Sequence, residues 1–132
     1  MNKNASKNYG LHLMIDGYRA DSDKLADINL MYETLNDMPT IIGMHKVGFP
    51  HIIQFTEGEI SGLSGFIFII ESHISIHTYS KKGFLSMDMY SCKKFDHIKA
   101  ERHIQKIYGI KDIEKNVVKR GKKFHNQNIQ AP

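Results

Sequence analysis

The chain contains a single cysteine, Cys92, so no internal disulfide can staple it, and a reducing compartment is the natural expectation. Long hydrophobic runs are missing too. The longest, FIFII at 66–70, is about a quarter of the roughly 20 residues a membrane helix needs. A membrane-spanning helix is therefore excluded. The opening MNKNASKNYG has lysine but no apolar stretch behind it, so no secretory signal is read and the cytoplasm is the expected location. There is no low-complexity tract, no internal repeat and no linker. With 41% apolar and 24% charged residues over 132 positions, one folded domain spanning 1–132 is expected, large enough to bury a core unaided.

Lysine and arginine outnumber acids by 18 to 14. The excess is uneven: eleven of those cations fall between Lys93 and Lys123, interspersed with Asp96, Glu101, Asp112 and Glu114. A nucleic-acid surface would use such charge. No aromatic-interleaved binding motif accompanies it, so a solvated helix and a basic tail are expected, with no nucleic-acid partner.

Periodicity gives the order strand, helix, several strands, helix, strand. LHLMIDGY reads as a strand. Asp21 and Ser22 then offer helix caps, with Leu25, Ile28, Met31 and Leu35 at helical spacing and Pro39 as a stop. TIIGMHKV and HIIQF read as two strands parted by a turn at Gly48, Phe49 and Pro50, and TEGEISGLSG as a loop. FIFIIE, HISIHTY and FLSMDMYS are β-branched and aromatic, with SKKG as a hairpin turn. A second helix covers DHIKAERHIQKIYG, closed by Gly109, before a last strand, DIEKNVVKR. Short turns and only two helices predict an α+β two-layer sandwich, an antiparallel sheet with both helices on one face. The polar tail GKKFHNQNIQAP is expected to be loose.

Three chemistries compete for the residues around ESHISIHTYSKKG. His73 and His77, with His45 and His51, could bind metal, but on a strand the first two stand two pleats apart, and no second cysteine or acidic cluster completes a set. No metal is expected. Cys92 and His77 could form a hydrolase pair, with Lys93 and Lys94 favouring a thiolate; a lone cysteine is more often a small buried group. Third, the Ser72 hydroxyl could attack the preceding carbonyl. The resulting ester would undergo β-elimination, cutting the chain and leaving a dehydroalanine that hydrolyses to a pyruvoyl group. That needs a constrained turn, an oxyanion donor and a base, for which Ser64 and His77 are candidates.

The span GLSGFIFIIESHISIHT followed by SMDMYSC closely resembles the bacterial and archaeal S-adenosylmethionine decarboxylase family. Its signature has the form SG, an apolar strand, ESH, IHT and a later D-x-[FY]-[ST]-C. The likeness is densest over 61–95 and extends more weakly from LHLMIDGY to VVKRG. It implies self-cleavage between Glu71 and Ser72, giving a β chain 1–71 and an α chain 72–132 headed by a covalent pyruvoyl group made from Ser72. Ser64 and His77 would assist processing, and Cys92 would donate a proton in decarboxylation. The substrate amine would be held as a Schiff base. The resemblance further implies a homodimer of αβ units with sites built from both protomers, acting in polyamine (spermidine) biosynthesis. Two positions depart from the family. Lys81 stands where the family has a glutamate that binds the ribose hydroxyls, and an ammonium cannot accept a hydrogen bond. Gly58 lies where an adenine-stacking aromatic is expected, the nearest being Phe55. Arginine or ornithine, substrates of some relatives, are therefore the alternative substrates, and an uncleaved regulatory paralogue is the non-enzymatic alternative.

Overall fold

A computed structural model describes residues 8–58, 60–126 and 128–132. Most of the stretch read for a secretory signal, Glu59 of the 56–65 loop and Gln127 of the tail lie outside the described residues. The elements run β1 (Gly10–Tyr18), α1 (Ser22–Leu25), α2 (Ile28–Ile41), β2 (Lys46–Phe55), β3 (Gly62–Ile69), β4 (Ser72–Tyr79), β5 (Phe84–Ser91), α3 (His97–Tyr108) and β6 (Asp112–Arg120). The six strands form one sheet of order β2-β3-β4-β5-β1-β6, with every neighbouring pair antiparallel.

Strand alternation sorts the side chains onto two faces. Leu13, Ile15, Leu63, Ile67, Ile74, Ile76, Leu85 and Met87 point to one face and form a single core with Leu25, Met31, Leu35, Ala100, Ile104 and Tyr108 of the helices. Burying each Leu, Ile or Met side chain stabilises by about 1.5–3 kcal/mol relative to exposure. Helix α2 lies hard against the sheet at Gly65, where a Cβ would stand 2.9 Å from both Leu35 Cδ1 and Met31 Sδ. The Thr78 hydroxyl ties β4 to α1 by donating to the Leu25 carbonyl at 2.7 Å. The architecture is the expected α+β two-layer sandwich.

Four expectations change in detail. Among the described residues there are three α-helices rather than two, because Asp27 accepts from the Leu30 N–H and starts a fresh helix where the spacing reads as one long one. Pro39 does not stop α2. It sits in the last turn, and the neighbouring carbonyls are served by the N–H groups of Ile42, Gly43 and Met44. The residues Gly48, Phe49 and Pro50 are not a turn between two strands but a register shift inside β2, between Val47 and His51. An edge strand tolerates a bulge and a proline, having a side with no ladder to break. The loop read at 56–65 is also shorter, since β3 begins at Gly62. The SKKG turn is present as a 3-10 turn, Ser80–Lys82, ended by Gly83 at φ 61°.

The second face carries half-buried polar groups and exposed apolar ones. His12 and Asp88 pair there at 2.8 Å. Phe66, Phe68 and Ile53 stand exposed on the same face.

Candidate active site

Strand register divides the residues singled out by sequence into two groups. The first gathers at the β3–β4 turn. Ser72 opens β4, half-buried, and pairs with Ile69 on one side and Ser91 on the other. The residue before it, Glu71, is fixed at both ends. Its carbonyl oxygen accepts the Cys92 N–H at 2.9 Å. Its carboxylate, with the side chain only 8% exposed, accepts the His45 N–H at 3.1 Å and the His45 ring Nδ1–H at 3.0 Å. A carboxylate only accepts, so Nδ1 carries the proton. Burial pushes the Glu71 carboxyl up, but bonds from the His45 ring and backbone pull it down and prevail, leaving it below the ordinary range.

The Cys92 N–H reaches that carbonyl because the chain bends sharply after β5. The Ser91 hydroxyl donates to the Lys93 carbonyl at 2.7 Å and accepts the Lys93 N–H at 2.9 Å. The bend leaves Cys92 exposed. Across the peptide, Ser72 Oγ lies 3.1 Å from His73 Nδ1. With that nitrogen unprotonated, the ring accepts the hydroxyl proton. A carbonyl, an N–H donor, a hydroxyl and an imidazole thus gather at the one peptide bond between residues 71 and 72.

The second group sits mid-sheet. Ser64 and His77 are register partners, with Oγ and Nδ1 2.8 Å apart. The alternation that buries Ile74, Ile76 and Thr78 turns His77 to the opposite face. β4 is unbroken, so five residues at ~3.3 Å each set His77 about 16 Å from Ser72. The same spacing parts His77 from Cys92, which follows the Ser72 partner Ser91, so the hydrolase pair does not meet within one chain. Lys81 is exposed in the turn after β4, farther still from Ser72, and Gly58 lies in the loop before β3. Among the described residues, no three His, Cys, Asp or Glu side chains converge as metal ligands.

Two contributors escaped the sequence reading. By sequence His73 is a candidate only for metal, although its place beside Ser72 in the chain is the available signal. His45 meets Glu71 across 26 residues, and no local pattern announces that contact.

Comparison with known proteins brings these observations together. The family model described as S-adenosylmethionine decarboxylase matches residues 11–121. The S-adenosylmethionine decarboxylase proenzyme of Persephonella marina is 34% identical over 116 residues, covering 87% of this chain and 84% of the relative. The proenzyme of Aquifex aeolicus is 34% identical over 119 residues, covering 88% and 84%. A crystal structure of the Aquifex aeolicus adenosylmethionine decarboxylase superposes with a TM-score of 0.75 at 31% identity, over 88% of this chain and 93% of that one.

Proposed function

The chain belongs to the S-adenosylmethionine decarboxylase family of pyruvoyl-dependent carboxy-lyases, and we propose that it cuts itself between Glu71 and Ser72 and then decarboxylates S-adenosylmethionine. The observation that carries the reading is the Glu71 carbonyl held by the Cys92 N–H at 2.9 Å. A donor aimed at a carbonyl that is about to become an oxyanion is the main requirement for attack on it. Ser72 Oγ attacks the Glu71 carbonyl carbon, the C–N bond breaks, and the hydroxyl proton ends on the freed nitrogen. His73, in contact with that hydroxyl, is the nearest group in the same chain to carry the proton.

Ser72 suits the prosthetic group it would become. It is half-buried at the mouth of a strand, and the backbone of Cys92 is hydrogen-bonded to the residue just before it. When formed, a pyruvoyl group supplies a carbonyl that holds the substrate amine and an electron sink for the pair released with carbon dioxide. Cys92, exposed on its bend, then gives its Sγ proton to the substrate α-carbon.

The Ser64–His77 pair needs a second copy of the chain. It lies about 16 Å along β4 from Ser72 by strand rise and faces the other way. The face it occupies also exposes Phe66, Phe68 and Ile53, as a surface meant to be covered does. We therefore place a twofold partner on that face, its Ser64 and His77 completing the processing site around Ser72. No helix among the described residues is long and apolar enough to cross a membrane. A cytoplasmic enzyme feeding polyamine biosynthesis is the corresponding placement.

Release of carbon dioxide from carboxyl-labelled S-adenosylmethionine, arginine and ornithine, assayed in parallel, tests the activity. Release from S-adenosylmethionine is expected. Release from an amino acid alone would overturn the substrate.

A further inference from the structure

We infer that His45 is a positioning residue for self-cleavage, locking Glu71 so that its carbonyl faces both the Ser72 hydroxyl and the Cys92 N–H. The inference rests on the self-cleavage reading above.

Three hydrogen bonds join His45 to the turn that carries the scissile bond. Its carbonyl accepts the Ile70 N–H at 2.9 Å. Its own N–H and its ring Nδ1–H donate one to each oxygen of the Glu71 carboxylate, at 3.1 and 3.0 Å. Glu71 is thereby gripped through its side chain by the α2–β2 connection and through its main-chain carbonyl by the bend after β5. A shift of the Glu71 main chain that takes its carbonyl away from the Cys92 N–H must also pull on a buried, doubly bonded carboxylate. The ring itself is largely exposed, 65% of its side chain, so it fills no core space. Its contribution is the bond to Glu71.

This arrangement separates the ring from the fold. Replacing His45 by alanine removes only the Nδ1 bond, and both main-chain bonds to the hairpin remain. In the step concerned, a Ser72 Oγ–C bond forms and the Glu71–Ser72 C–N bond breaks, with the proton passing from oxygen to nitrogen. A misplaced carbonyl slows that step and leaves the later elimination unaffected. Asparagine sets its Nδ2–H₂ close to the place of Nδ1–H and can donate to the same oxygen.

The test is a pulse-chase of freshly translated full-length chain, with cleavage followed by denaturing intact mass. Wild type, His45→Ala and His45→Asn are compared, with and without hydroxylamine, which cuts an ester but not an amide. Loss of a charge-assisted hydrogen bond should slow His45→Ala roughly tenfold, and His45→Asn should recover to within about threefold of wild type. Hydroxylamine should leave the slow variant slow, because the ester itself forms late. Thermal midpoints measured in the Ser72→Ala background give the stability of each variant. Equal rates for wild type and His45→Ala would overturn the inference while leaving self-cleavage intact. So would rescue by hydroxylamine, or a rate loss that follows the thermal midpoint across both variants. A wild-type chain that stays whole overturns the self-cleavage reading and this inference with it.

Discussion

Coexpression of a Ser72→Ala chain with a His77→Ala chain tests whether the processing site is built from two protomers. Strand rise sets Ser72 and His77 about 16 Å apart within one chain, whereas proton transfer needs donor and acceptor within ~3 Å or a bridging water. No rotation of either side chain closes that gap, and the two residues face opposite sides of the sheet. Alone, the Ser72→Ala chain has no nucleophile, and the His77→Ala chain cleaves slowly. In a mixed dimer, Ser72 of the His77→Ala chain meets the intact histidine of its partner. Random twofold assembly makes about half the dimers mixed, each with one complete site, so cleavage should rise to about a quarter of all chains. Every cut chain should carry the His77→Ala substitution, which intact mass reads directly. Cleavage no faster in the mixture than in His77→Ala alone would refute the two-protomer reasoning and leave His73 as the imidazole that serves Ser72.

Other expectations follow from the same geometry. Cys92→Ala keeps the N–H on the Glu71 carbonyl but loses the thiol, so intact mass should still show cleavage while carbon dioxide release falls by roughly 10²- to 10⁴-fold. The Glu71 carboxyl is depressed in the fold, so its ionised form stabilises the protein above its ordinary value of 4.5, and that contribution is lost as pH falls through its lower folded value. In the Ser72→Ala background, the thermal-midpoint gap between Glu71 and Glu71→Gln should thus be constant near neutrality and close below that pH. Gly62→Ala would set a Cβ 1.9 Å from the Thr78 carbonyl oxygen. Backbone must then move at the β3–β4 ladder, and a loss on the order of 1–3 kcal/mol in denaturant unfolding is expected.

Much of this was legible in the chain because it is local. HISIHTY and FLSMDMYS alternate cleanly, and β4 and β5 lie where that alternation put them. Asp96 and Gly109 bracket α3 with the cap chemistry their types supply. Where two signals competed, sequence misread the outcome. Asp27 is a good cap inside a run of helical spacing, and the cap prevailed; Gly48 and Pro50 usually mark a turn, but an edge strand absorbed them as a bulge. The site was legible only as a constellation of motifs, since Ser64 and His77 meet through register. The grip on Glu71 could not be read at all. It depends on a connection 26 residues away returning to the hairpin, a tertiary fact with no periodic trace.

The central claim, that this chain makes its own catalytic group from Ser72, is tested most directly by a denaturing intact-mass spectrum of the purified protein beside its Ser72→Ala variant. The account predicts two chains from the wild type, 1–71 and 72–132, the second lighter by one ammonia than a serine-headed chain. The variant should stay whole at 15.2 kDa, less the one oxygen removed. A wild-type chain that remains whole, or a variant cut at the same bond, would contradict it.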